Sequence, residues 1–137
     1  MPPIRGVLET SLYVEDVGRS VAFYQAIFDF RVILSGERLA ALRVAERDVL
    51  LLFKKGGSVS PTAASEGVLA HDGSGQLHLA LSIAAADLDP WRTWLAEHHV
   101  AIEREIAWDG GSQSLYFRDP DGHLLELATP GIWSLSW

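Results

Sequence analysis

Apolar and polar residues alternate along Leu8-Glu9-Thr10-Ser11-Leu12-Tyr13-Val14, and again along Leu77-His78-Leu79-Ala80-Leu81-Ser82-Ile83. A period of two puts neighbouring side chains on opposite faces of a strand, so each run has one apolar face and one mixed face. Leu8, Thr10, Leu12 and Val14 share the first face of the first run; Leu77, Leu79, Leu81 and Ile83 share that of the second. Opposite them stand Glu9, Ser11 and Tyr13 in one run and His78, Ala80 and Ser82 in the other. After each run the spacing lengthens to that of a helix. Asp16 reads as the N-cap of a helix from about Gly18 to Phe28, in which Val21, Phe23, Tyr24, Ile27 and Phe28 fall at helical intervals. A second helix is expected from about Leu88 to His98, with Trp91 and Trp94 packed against a sheet. Three strands follow each helix, near 30–35, 38–45 and 48–54 in the first half and near 101–107, 113–118 and 123–129 in the second.

The chain is thus written twice, as βαβββ and then βαβββ. Two late runs, Leu50-Leu51-Leu52-Phe53-Lys54-Lys55-Gly56 and Leu125-Glu126-Leu127-Ala128-Thr129-Pro130-Gly131, correspond, and superposing them sets Glu126 opposite Leu51. The two halves therefore offer Glu9, His78 and Glu126 at related strand positions. Carboxylate oxygens and imidazole nitrogens are metal donors, and two cavity carboxylates without a cation would repel each other. The plain alternatives are an exposed strand carboxylate at Glu9, a structural histidine at His78 and an edge residue at Glu126.

A short helix on a four-stranded sheet cannot bury everything alone, so the two modules are expected to pair as one α+β domain over 1–137. Module 1 spans about 5–56, a linker about 57–76, module 2 about 77–131, and an apolar tail 132–137. Between Gly56 and Gln76 lie five glycines, four serines and one proline, a loop composition. The tail suits a cover for a pocket or a subunit contact.

Composition narrows the chemistry. Hydrophobic residues at 48% and charged residues at 21% describe a globular chain. A net charge of -7 leaves no basic face to neutralise phosphates, so nucleic acid is excluded as a partner. The absence of cysteine removes disulfides, thiolate nucleophiles and Cys-based zinc sites. No run has the length of a membrane span and Met1–Gly6 has no signal-peptide core, so a cytoplasmic location with no membrane partner is expected. Of the other histidines, His123 is expected to be a solvated turn residue, His98 and His99 to close a helix, and His71 to sit in the long loop.

Two segments carry a resemblance. Leu12-Tyr13-Val14-Glu15-Asp16-Val17 with Ser20 and Phe23-Tyr24, and Tyr116-Phe117-Arg118-Asp119-Pro120-Asp121-Gly122-His123-Leu124-Leu125-Glu126-Leu127, resemble the vicinal oxygen chelate superfamily. That superfamily includes glyoxalase I, fosfomycin-resistance enzymes, methylmalonyl-CoA epimerase, extradiol dioxygenases and bleomycin-resistance proteins. The resemblance covers nearly the whole chain and implies curved mixed sheets around a metal-containing cavity. It places Glu9, His78 and Glu126 at the metal-ligand positions, with Glu at position 9 where relatives most often carry His or Gln. A fourth ligand position falls at Leu51, which cannot bind metal, leaving coordination sites open for substrate or water. The donor set suits Zn, Ni, Mn, Co or Fe(II).

The implied activity is chelation of vicinal oxygens of a small, polar or anionic oxygenated substrate, with lyase, isomerase or epoxide-opening chemistry. Glu9 or Glu126 would carry a proton, with Tyr116 as a further catalytic candidate. In fosfomycin-resistance relatives a Tyr at the Tyr116 position and a hydroxyl residue at the Ser11 position contact substrate. Strand alternation adds Tyr13, Ser114 and Arg118 as substrate-binding candidates. Two other activities stay open. Fe(II) extradiol dioxygenases need two His and one carboxylate, which Glu9 disfavours; bleomycin-resistance-like proteins bind a small molecule without metal. A homodimer is expected, because small relatives often build the site from the first module of one chain and the second of its partner.

Overall fold

In the computed structural model, which describes residues 1–133, the first alternating run forms strand β1 (Glu9–Val14). Leu8 precedes the strand and is exposed, so the apolar face buries only Leu12 and Val14. Helix α1 (Val17–Phe28) starts where Asp16 Oδ1 accepts from the Arg19 amide at 2.8 Å. It ends at Asp29, a left-handed residue at φ 55° whose amide bonds the Gln25 carbonyl. Strands β2 (Arg31–Ser35), β3 (Leu39–Arg43) and β4 (Val49–Lys54) follow, and the sheet order is β1-β4-β3-β2. Strand β1 runs parallel to β4 while the other pairs are antiparallel. The helix turns Val17, Ser20, Tyr24 and Ile27 inward and packs on β3 and β4, whose Ala40, Leu42, Leu50 and Leu52 are fully buried. Each such leucine contributes roughly 1.5–3 kcal/mol through burial.

The Gly/Ser-rich stretch is not all loop. After a 3-10 turn at Gly57–Val59, a second helix, α2 (Pro61–Ser65), is capped by Ser60 Oγ on the Ala63 amide and has Pro61 in its first turn. Further on, both Asp72 carboxylate oxygens accept from the Gly56 amide at 3.1 Å. Gly73 lies flat on the Tyr13 ring, where a Cβ would come within 2.4 Å of Cδ2. These contacts belong to the first of two compact units, Met1–Gly75; the second begins at Gln76.

The second unit repeats the plan. Strand β5 (His78–Ser82) leads through a 3-10 turn to helix α3 (Leu88–Glu97), then β6 (Arg104–Ala107), β7 (Gln113–Arg118) and β8 (Leu124–Ala128). The order β5-β8-β7-β6 and the parallel β5/β8 pair match the first sheet strand for strand. Ala80 faces Glu126 across β5 and β8 as Ser11 faces Leu51 across β1 and β4. This is the register that the sequence superposition requires. Leu115, Phe117, Leu125 and Leu127 form the buried face. The fold is therefore α+β, with two βαβββ modules each carrying a four-stranded mixed sheet.

Two expectations are corrected here. Trp94 does not pack inward: it is 40% exposed and lies against His98, with ring centroids 3.8 Å apart. Leu88 and Leu95 define the buried stripe of α3, and at 100° per residue Trp94 falls about 100° away from it. His123 is not solvated but completely buried. Asp119 Oδ1 accepts from the amides of Asp121 (2.9 Å) and His123 (2.8 Å), with Gly122 at φ 80° completing the turn. The chain thereby re-enters the interior at His123, whose Nδ1 accepts from the Leu77 amide at 2.9 Å just ahead of β5. Residues 134–137 of the expected apolar tail lie outside the described residues. Among the described residues no helix is long and apolar enough to cross a membrane.

Candidate functional site

Alternation along β8 sends Leu125 and Leu127 to the core and turns Glu126 to the other face, where Ser114 and Tyr116 of β7 and His78 of β5 also emerge. Glu126 is only 7% exposed, and a buried carboxylate needs partners. It has them on one oxygen. Ser114 Oγ donates to Oε1 at 2.6 Å, and the Tyr116 hydroxyl donates to the same atom at 2.9 Å. Behind them the Trp108 indole N–H donates to Ser114 Oγ at 2.9 Å. Burial raises the Tyr116 phenol above its usual pKa, and its bond to Glu126 adds to the effect, so the hydroxyl keeps its proton as a donor.

The other oxygen faces histidine. Glu126 Oε2 lies 3.2 Å from His78 Nε2, while His78 Nδ1 lies 3.0 Å from the Leu124 carbonyl. A carbonyl can only accept, so Nδ1 carries the proton. In the neutral ring Nε2 then presents a lone pair to a carboxylate oxygen. Two acceptors at that distance call for a cation between or beside them, either a proton on Nε2 or a metal ion. A backbone carbonyl holding the far nitrogen is the arrangement that orients a metal-binding imidazole. The donor chemistry of the pair fits a divalent cation.

The pair opens on a hollow of about 470 Å³ whose walls include His78, Tyr116, Glu126, Ala80, Trp108 and Trp133. The remaining sequence candidates lie elsewhere or are engaged. Glu9 stands exposed on β1 of the first unit, and among the described residues no three His, Cys, Asp or Glu side chains group closely enough to hold a metal. Ser11 is half-buried on the same strand. Tyr13 bonds His71 Nδ1 at 2.8 Å through its hydroxyl and stacks on Phe53 at 5.8 Å. Arg118 donates from Nε and Nη2 to the two carboxylate oxygens of Glu103 and from Nη1 to the Gly122 carbonyl. That pairing raises the arginine pKa and lowers that of Glu103.

Sequence reasoning passed over Trp108, and it left His71 unplaced. Ile106 pairs with Ser114 across β6 and β7, so a residue two places beyond Ile106 emerges on the Ser114 side; that spacing was the available signal for Trp108. For His71 no local signal existed, because Asp72 and Gly73 fix it by contacts with distant residues.

Comparison with known proteins agrees with this architecture. Residues 6–127 match the model of the Glyoxalase/Bleomycin resistance protein/Dioxygenase superfamily. A metallothiol transferase FosB from Staphylococcus epidermidis is 31% identical over 85% of this chain and 75% of its own length. One from Shouchella clausii is 28% identical over 92% and 81%. The crystal structure of a lactoylglutathione lyase from Agrobacterium tumefaciens superposes with a TM-score of 0.90 at 29% identity, covering 98% of this chain and 100% of that one. The fosfomycin resistance protein FosX from Listeria monocytogenes shares the fold at a TM-score of 0.69 and 22% identity, over 96% of this chain and 98% of that one.

Proposed function

Since this chain belongs to the Glyoxalase/Bleomycin resistance protein/Dioxygenase superfamily, we propose that it is a metal-dependent enzyme of the glyoxalase and fosfomycin-resistance type, acting on a small substrate with vicinal oxygens. The observation that carries the reading is the opposed pair, His78 Nε2 and Glu126 Oε2 at 3.2 Å, each with its other donor atom already committed. Relatives named for metallothiol transfer and for lactoylglutathione lysis support it.

His78 and Glu126 would hold the divalent ion. Glu9, at the strand register of His78, is proposed as the third donor and a proton carrier, supplied by this chain or by a second copy in a homodimer. Once bound, the cation supplies Lewis-acid stabilisation of negative charge on substrate oxygens. Tyr116 holds Glu126 Oε1 and keeps its proton at the edge of the hollow, within reach of a ligand seated there. Ala80 and Ala128 leave room for that ligand, and the side chains of Trp108 and Trp133 offer it apolar walls.

Metal analysis of protein purified without chelators tests the reading. The expected result is about one divalent ion per site, lost in His78→Ala and weakened in Glu9→Gln. Occupancy unaffected by His78→Ala would refute it. Iron as the bound metal, with ring-cleaving activity on a catechol, would transfer the proposal to the dioxygenase chemistry. Sedimentation at micromolar concentration checks the homodimer.

A further inference from the structure

We infer that Trp108 is a positioning residue, which sets the direction of the Glu126 carboxylate through the hydroxyl of Ser114; the inference rests on the reading of His78 and Glu126 as metal donors. Trp108 opens the turn after β6. Its amide bonds the Ser112 carbonyl at 2.9 Å and its carbonyl accepts from Gly111 at 3.2 Å, with Gly110 and Gly111 at φ 93° and 89°. Positive φ at two successive positions is a glycine requirement, so the Gly-Gly pair is what lets the turn close with the indole on the Ser114 side.

The direction of the relay follows from donor inventory. An indole N–H can only donate, so at 2.9 Å Ser114 Oγ must accept from it. The serine hydroxyl has one proton left to place. Glu126 Oε1 lies 2.6 Å away and, as a carboxylate oxygen, can only accept. Ser114 is completely buried, with no water to rotate toward. The Trp108 N–H therefore fixes the serine rotor, and the rotor fixes Oε1. With the Tyr116 hydroxyl also on Oε1, the second oxygen is presented to His78. A tryptophan that only filled space would need neither its N–H nor this orientation. Trp108 also lines the hollow and is 39% exposed, so it borders the same space that a ligand would occupy.

The test uses the full chain. Outer partners of metal ligands are worth about 10–100-fold in metal affinity, and Trp108 stands one bond further out than Ser114. Trp108→Phe, which keeps a ring and removes the N–H, should weaken zinc binding by about tenfold in calorimetry, and Ser114→Ala by at least as much. Because both act through one proton path, the double variant should be no weaker than Ser114→Ala alone. Independent multiplication of the two effects, or unchanged affinity in Trp108→Phe, overturns the inference. A second measurement needs no metal. In the apo protein the indole N–H resonance missing from Trp108→Phe should be protected from exchange and should shift in Ser114→Ala and Glu126→Gln. A Trp108 resonance indifferent to Ser114→Ala also overturns it. Wild-type protein that binds no zinc, yet passes the resonance test, would refute the metal reading and leave the relay standing.

Discussion

The two units share a backbone plan and differ in what one face of the sheet carries. At the register where the second unit has Glu126 beside Tyr116, the first has Leu51 beside Ala41; where the second has Ala128 beside Ser114, the first has Phe53 beside Leu39. One copy has hydroxyls to receive a carboxylate and the other has apolar side chains and a Tyr13-Phe53-His71 cluster. The buried faces, by contrast, are interchangeable in kind: Leu50 and Leu52 in one, Leu125 and Leu127 in the other. The repeat thus keeps the buried face alike in both halves and lets the opposite face differ. The arginines make the same point from the other side. Arg43 and Arg118 occupy the same register, and each bonds a carbonyl of the turn that follows its strand, so this feature of the repeat serves structure in both units.

Making the second unit resemble the first should have the largest effect. Glu126→Leu is expected to eliminate stoichiometric metal binding, since among the described residues Glu126 is the carboxylate that lines the hollow opposite His78, while circular dichroism shows a retained fold. Next comes the turn after β7, which has Asp119 where the equivalent turn of the first unit has Val44. Asp119→Ala leaves the amides of Asp121 and His123 without their acceptor, and a cost of roughly 2–4 kcal/mol is expected in urea unfolding. A result under 1 kcal/mol would show that the Gly122 backbone alone suffices to build it.

The reverse graft is gentler. Leu51→Glu places a carboxylate where Leu39 and Ala41 offer no donor, and because Leu51 is only half-buried a loss of about 1–2 kcal/mol is expected, with no metal site gained. Unfolding curves and metal analysis of one preparation answer both halves. The smallest effect belongs to Glu103→Gln. Arg118 lowers the Glu103 pKa, so the pair stabilises the fold fully above the ordinary glutamate range and loses that contribution as pH falls through the lowered value. The variant should melt slightly below wild type at neutral pH and together with it in acid; a gap that widened on acidification would reverse the sign.

Much of this comparison is legible in the chain itself. Alternation over β1 and β5 marks both faces, and the superposition of Leu51 on Glu126 survives as strand register because a one-residue slip would turn every leucine outward. Site partners on neighbouring strands are legible for the same reason, which is how Ser114 and Tyr116 join Glu126. What is not legible depends on contacts between distant residues. The burial of His123 follows from the Asp119 carboxylate gathering two amides, and composition sees only an Asp-Pro-Asp-Gly turn. Helix α2 is hidden by its glycine- and serine-rich neighbours, although Ser60-Pro61 is a start signal in its own right.

The clasp at Asp72 and Gly73 changes what the long connection is as a tether. Counted along the chain, Gly56 to Gln76 is a lengthy connection, but its far end is already tied into the first unit by Asp72 on Gly56 and Gly73 on Tyr13. On the other side Leu77 is held by His123. What remains between the anchors is Ser74, Gly75 and Gln76, a reach of roughly 15 Å at full extension. A leash that short makes the effective concentration of one half for the other a matter of a few residues. Lengthening it by a handful of glycines and serines would dilute each half with respect to its own chain without touching a single residue of either sheet.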